Sequence, residues 1–309
     1  MILPRLALAA ALALTAMPAV AATLVVGPGQ TYKLPSQAIA AAKPGDTVQI
    51  LPGDYVDCAM VRQNDITIEG KGSAKAVIMS DRTCAGKAIL VIDGNNVMVR
   101  NMTLARAAVP DRNGAGIRAE GGNLTIDGVR FINNENGILA ADNPNATITI
   151  RNSYFDRNGV CYRSCAHGIY IGDIKKLLVE HSIFFDTHQG HDIKSRAIDT
   201  EIIDTTIEDG PHGTSSYLID IPNGGGLLVQ GCTMEKGPKA ENHTTAISIG
   251  EEGVTHISRR FIIKDNTFTN DMPYPTYFVN NITRGEAILT GNKFKGRVTP
   301  LAGLGKVLP

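Results

Sequence analysis

The chain has 309 residues, with 32 Gly, 15 Pro and no Trp, a balance that suits a fold of many tight turns better than a helical bundle. Lys plus Arg and Asp plus Glu both number 30, so the formal net charge is zero. No global field then steers the protein to nucleic acid or to an acidic membrane surface, and any anionic partner must be gripped locally.

Met1 to Arg5 form a basic tip, Leu6 to Leu14 an apolar run too short to span a bilayer, and Ala19 to Ala21 a small-residue cleavage motif. Residues 1–22 are therefore expected to be a secretory signal cut near Ala21 or Ala22. No second long apolar run follows, so no membrane insertion is expected. Residues 23–309 are expected to form a single domain, monomeric, in a periplasm or outside the cell. Five cysteines in an oxidising compartment favour bridges, Cys58 with Cys84 and Cys161 with Cys165, over a metal site of Cys161, Cys165 and His167. Cys232 is left as a small buried hydrophobe.

Ser36 to Lys43 reads as a short helix with Ser36 as N-cap and Pro44-Gly45 as its stop, within an N-terminal cap of about residues 34–44. Thr47 to Leu51 is then a strand and Pro52 to Tyr55 a turn. From there one phrase recurs: β-branched residues, a polar or Gly break, then a small, an outward and a large apolar residue. It appears as Val97 to Leu104, Leu124 to Phe131, Ile148 to Phe155, Leu177 to Phe184, Glu201 to Ile207, Leu227 to Met234, Phe261 to Phe268 and Ala287 to Phe294. A period of that length signals a solenoid, and the lack of an apolar stripe at helical spacing makes it β. Stacking the coils lines up Phe131, Phe155, Phe184, Ile207, Met234, Phe268 and Phe294 in one interior column. Val129, Ser153, Ser182, Thr205, Cys232, Asn266 and Asn292 form a smaller one beside it. An antiparallel sandwich would need shorter, regular hairpin spacing, which is not seen.

This repeat resembles the right-handed parallel β-helix of the pectate-lyase-like superfamily, over roughly residues 24 to 295. The resemblance implies an all-β right-handed parallel β-helix with an N-terminal capping helix, a fold that carries lyases, hydrolases, epimerases and binding proteins alike. The segments Gly190 to Arg196 and Ile221 to Gly225 are similar to those of secreted bacterial β-helix proteins.

Three short strands, Gly168 to Gly172, Asp192 to Arg196 and Leu218 to Ile221, carry most of the chemistry. Counting back ten residues from Val179, Ile203 and Val229 returns Ile169, Ile193 and Ile219 as inward positions. One outward column should then read Arg118, Leu139, Tyr170, Lys194, Asp220 and Ser248, with rungs about 4.8 Å apart. Alternation also turns Asp192 and Arg196 outward, and sets His167, His191 and Tyr217 at the rim. The insertions Asp156 to Ala166 and Glu235 to His243 are expected to wall the face.

Such a face suits an acidic polysaccharide. Cleavage by β-elimination needs neutralisation of the uronate carboxylate, a base for the neighbouring proton and an acid for the leaving oxygen. Tyr170, His191, Lys194 and Arg196 are the expected catalytic residues: Arg196 offers a planar fork for a carboxylate, and Lys194 is a base if neutral. Asp220 would instead hold Lys194 as a cation, leaving Tyr170 or His191 as base. His167, Asp192, Tyr217, Asp220, Asn223 and Arg118 are expected to contact substrate. An epimerase or a glycoside hydrolase on the same fold, or a non-catalytic polysaccharide-binding protein, are the alternatives. The bland reading is a solvated ion-pair ladder. No cofactor is expected; calcium stays open through Asp192, Asp220 and Glu251, without a packed acidic run.

Overall fold

In the computed structural model, which describes residues 21–309, the chain winds through three parallel sheets. The apolar stretch of the expected signal, residues 1–20, lies outside the described residues. The first sheet has twelve strands, from Thr23–Val26 to Gly305–Leu308. The second and third have ten each, from Gly53–Tyr55 to Lys293–Gly296 and from Ala59–Val61 to Val298–Gly303. Each coil feeds the first sheet, then the second, then the third, so strands that pair are one coil apart in sequence. This is a parallel β-helix. Pro52 to Tyr55, expected to be only a turn, already supplies the strand Gly53–Tyr55.

The recurring break marks the corner from the first sheet to the second. Asn101, Gly128, Asn152, His181, Asp204, Gly231, Asp265 and Gly291 all sit there with φ between 45° and 67°. Only Gly, and short polar residues at modest cost, enter that left-handed region readily, which is why the sequence shows "polar or Gly" at this point. Next to each corner the large apolar residues stack in register, Phe131 on Phe155 on Phe184, then Ile207, Met234, Phe268 and Phe294. The first three rings lie parallel, with centroids 4.6 and 4.3 Å apart. The smaller column bonds along the stack: Ser153 Oγ accepts from Val129 N, Ser182 Oγ from Ser153 N, and Asn292 Oδ1 from Asn266 Nδ2. Cys232 is buried and free, and Cys58–Cys84 and Cys161–Cys165 are bridged.

The helix runs Pro35–Ala41, so its cap is Leu34 and not Ser36. Pro35 takes the first helical position, where its missing N–H costs nothing. Gln37 Oε1 accepts from the Lys33 and Leu34 amides, and Ser36 N donates to Asp57, which leaves the Ser36 side chain no capping role. Ala38 and Ile39 are fully buried against the first coils, where they close the end of the stack.

Candidate active site

The third sheet presents the chemistry. Its strands Ala115–Ala119, Asn136–Ala140, Ile169–Ile171, Ile193–Ser195, Ile219–Ile221 and Thr245–Ile249 lie side by side. Their pairing sets Arg118 beside Leu139, Leu139 beside Tyr170, Tyr170 beside Lys194, Lys194 beside Asp220 and Asp220 beside Ser248. Ile117, Ile138, Ile169, Ile193, Ile219 and Ile247 fill the core behind them, fully buried. That inward ladder pins the register, because a slip of one residue would turn every isoleucine to solvent. In the first sheet the partner of Val179 and Val229 is Ile202, not Ile203. The coil is one residue shorter than the count assumed, and the column is unchanged.

On this face Lys194 Nζ lies 3.0 Å from Asp220 Oδ2 and also bonds Glu252 Oε1. Arg196 reaches three partners: its Nε donates to Tyr170 Oη at 2.8 Å, and its two terminal nitrogens donate to Asn223 Oδ1 and Glu252 Oε2. Both cations lie within 6 Å of the Tyr170 ring centroid, 5.9 Å for Lys194 and 5.5 Å for Arg196. Burial alone would push the Lys194 ammonium down, but Asp220 and Glu252 outweigh it and hold Lys194 above the ordinary lysine value. Of its two expected roles the charged one therefore fits. Burial pushes the Asp220 carboxyl up to about 6 against the pull of Lys194, so near neutral pH it is a carboxylate facing that ammonium. Burial opposes ionisation of Glu252, yet hydrogen bonds from Lys194 and Arg196 take its carboxyl below the usual range.

His167, His191 and Tyr217 form a stacked row along the rim, with centroids 4.9 and 5.0 Å apart. His191 N donates to His167 Nδ1 and Tyr217 N donates to His191 Nδ1. Each acceptor nitrogen is thus unprotonated, which places the proton of the neutral ring on Nε2. Burial depresses His167 to about 3 and His191 well below its ordinary value. Neutral rings with Nε2–H are donors, so His191, with Nε2 3.5 Å from Asp220, does not serve as base in this arrangement. Tyr217 Oη donates to Glu251, and burial followed by that carboxylate raises its phenol well above the usual range.

One expected position is corrected. Asp192 is completely buried, not outward. The strand proper begins at Ile193, and Asp192 turns into the corner with Thr187, Asp209, Ser215 and Lys236, where burial and then Asp209 hold its carboxyl up. Alternation fails there because the residue precedes the strand. Arg118 is parted from Tyr170 by Leu139 and lies 3.2 Å from Glu120, which also bonds Lys87. The insertions Asp156 to Ala166 and Glu235 to His243 both fall in the corner between the second and third sheets, so they border the same side. The opposite border is the turn 250–255, which supplies Glu252, a residue the sequence reading passed over. Its only signal was its place directly after a third-sheet strand, next to Glu251.

Asn223 lies in the turn at Gly224 and Gly225, where φ is 77° and 99°. Its side chain accepts from Arg196 and donates to Gly253 O at 2.9 Å, tying the cation to that border. The three carboxylates considered for calcium go to different partners, Asp192 to the Asp209 and Lys236 cluster, Asp220 to Lys194 and Glu251 to Tyr217. Among the described residues no group of three or more His, Cys, Asp or Glu could hold a metal ion. A cleft of about 650 Å³ opens on the first sheet between Lys175, Ile198, Leu228 and Arg260. Lys176, Asp199 and Glu201 line it too, with Lys176 paired to Glu201 at 2.8 Å, but no His or Tyr stands among these charges to move a proton, so the third-sheet face is the better candidate.

The family described as right handed beta helix region matches residues 53–207, half of the chain. The chain belongs to this family. No single curated protein matches it. Among solved structures the β-helix is similar to an alginate lyase from Paenibacillus sp., at 18% identity and a TM-score of 0.61, over 90% of this chain and 99% of that one. It is also similar to a pectin methylesterase from Aspergillus niger, at 13% identity and a TM-score of 0.53, over 94% and 93% of the two chains. A third is ORF18 of Geobacillus virus E2, at 14% identity and a TM-score of 0.52, over 88% of this chain and 56% of that one. At such identities the likeness establishes the fold, which is shared by enzymes acting on polysaccharides. No helix among the described residues is long and apolar enough to cross a membrane.

Proposed function

We propose that this β-helix protein is a polysaccharide lyase that cleaves a uronate-containing polysaccharide by β-elimination on its third-sheet face. One observation carries the reading: Lys194 and Arg196 share a carboxylate, that of Glu252, beside the hydroxyl of Tyr170. Two cations that hold a carboxylate next to a proton-transfer group are what elimination from a uronate requires.

Arg196 neutralises the substrate carboxylate and so acidifies the proton on the carbon next to it. Tyr170 Oη, the oxygen that accepts the Arg196 Nε–H, takes that proton. The electron pair left on carbon becomes the double bond as the bond to the leaving sugar oxygen breaks. Lys194, charged and one rung from Tyr170, gives that oxygen a proton. His167, His191 and Tyr217 form the rim against which sugar rings would lie. Hydrolysis is less well served, since Asp220 and Glu252 are both engaged by Lys194. Two disulfides and an acidic polymer as substrate support a place outside the cytoplasm.

The test is incubation of the mature protein with alginate, pectate, glucuronan and glycosaminoglycans while following the ultraviolet absorbance of the unsaturated product, for wild type and Lys194→Ala. A rise that the variant loses is expected. No rise on any polymer, with reducing ends also constant, would sink elimination and move the epimerase and binding readings ahead.

A further inference from the structure

Glu252 stands outside the repeat. It sits on the exposed turn after Thr245–Ile249, with 44% of its side chain open to solvent, whereas Lys194 and Arg196 beneath it are 10% and 22% open. We propose that Glu252 is a resident carboxylate occupying the position of the substrate's carboxylate, so that a free uronate displaces it and a methyl-esterified one does not. This deepens the elimination reading and rests on its placement of the substrate on this face.

Charge counting supports the exchange. Lys194 and Arg196 bring two positive charges, and Asp220 and Glu252 two negative ones. Asp220 is sealed in, 2% exposed, and paired to Lys194 from the next rung. Glu252 is the solvent-exposed half of the balance. When it swings out, one positive charge is uncompensated, and a uronate carboxylate restores neutrality on the same nitrogens. A neutral ester does not, so its binding carries the full loss of the two ion pairs.

The turn lets the side chain leave without unfolding anything. Its backbone is tied down by Gly250 N to Ile221 O, Glu252 N to Pro222 O and Thr255 N to Asn223 O, and by Asn223 Nδ2 to Gly253 O. Rotation about the Glu252 side-chain bonds clears both cations with those four bonds intact. Glu251 next to it faces the other way, onto Tyr217, and is not part of the exchange.

The test is calorimetric titration in the Tyr170→Phe background, so that turnover does not consume the ligand. The probes are hexamers of mannuronate and of galacturonate, each as free acid and as methyl ester. Glu252→Gln is expected to tighten free-acid binding about tenfold, and to bring the ester from undetectable to measurable binding by a similar factor. Glu252→Asp, too short to span both cations, should fall between, and serves if the Gln variant does not fold. Unchanged or weaker free-acid binding in these variants overturns the proposal, as does the absence of binding by every hexamer to every protein. Tightening in a protein that yields no unsaturated product would keep the exchange and sink the elimination reading. A lyase whose Glu252→Gln form binds more weakly would do the reverse.

Discussion

Asp220 Oδ2 sits 3.0 Å from Lys194 Nζ, one rung along the same column, and the two side chains are only 3% and 10% open to water. Removing one partner of such a pair leaves the other charged, buried and alone. Lys194→Met is therefore expected to abolish turnover and to lower stability by about 3 kcal/mol. The double variant Lys194→Met with Asp220→Leu should regain most of that stability in urea melts while staying inactive. A double variant no more stable than the single one would mean that the pair is not the source of the loss.

Tyr170→Phe removes one hydroxyl whose protein partner is Arg196. The ring, its packing and both nearby cations remain. Turnover is expected to fall by about 10²- to 10⁴-fold with the melting temperature and the affinity for polymer nearly unchanged. A variant that keeps its rate would remove Tyr170 from proton transfer.

The rim histidines make stability depend on pH. His167 is depressed to about 3 and His191 well below its ordinary value because burial disfavours the imidazolium, whereas in the unfolded chain both titrate near 6.5. Between those values the unfolded state binds more protons, so stability rises with pH up to about 6.5 and is lost as pH falls below it. At pH 5 the His167 ring should cost about 2 kcal/mol relative to neutral pH, with His191 adding in the same direction. The raised carboxyls of Asp220 and Asp192 act in the opposite sense over this window, so the histidine contribution is read as a difference: in thermal melts from pH 7 to 5, wild type should lose stability relative to His167→Asn. Equal slopes would contradict the neutral, buried state.

Phe155 stacks between Phe131 and Phe184 at the centre of the second sheet's interior column. Its neighbours are held by the coils above and below and close poorly over a void. Phe155→Ala should cost about 3–5 kcal/mol in equilibrium unfolding, with no change in the third-sheet register. A cost near zero would argue that the coils can collapse around the gap.

Much of the fold was legible because it repeats. A break that accepts Gly, Asn, Asp or His, followed at fixed distance by a large apolar residue, is a local pattern written many times over, and each copy checks the others. From that periodicity the interior column and the outward series Arg118 to Ser248 followed residue by residue. A one-residue error at Ile203 did no harm, since the neighbouring coils fixed the position of Ile193. The cysteine pairs were legible too, because stacked coils bring Cys58 and Cys84 together and a short insertion brings Cys161 to Cys165.

What the amino-acid order determined by itself was thus everything periodic: a β-solenoid, its register, and Tyr170, Lys194 and Asp220 on adjacent rungs. Only the tertiary structure decided what happens between the strands. It buried Asp192 with Asp209 and Lys236, put the two insertions on one side, and laid Glu252 across Lys194 and Arg196 from a turn more than fifty residues away in the chain. The physical reason is that alternation and stacking govern residues within a strand, whereas a turn's side chains go where packing and charge from several coils at once send them.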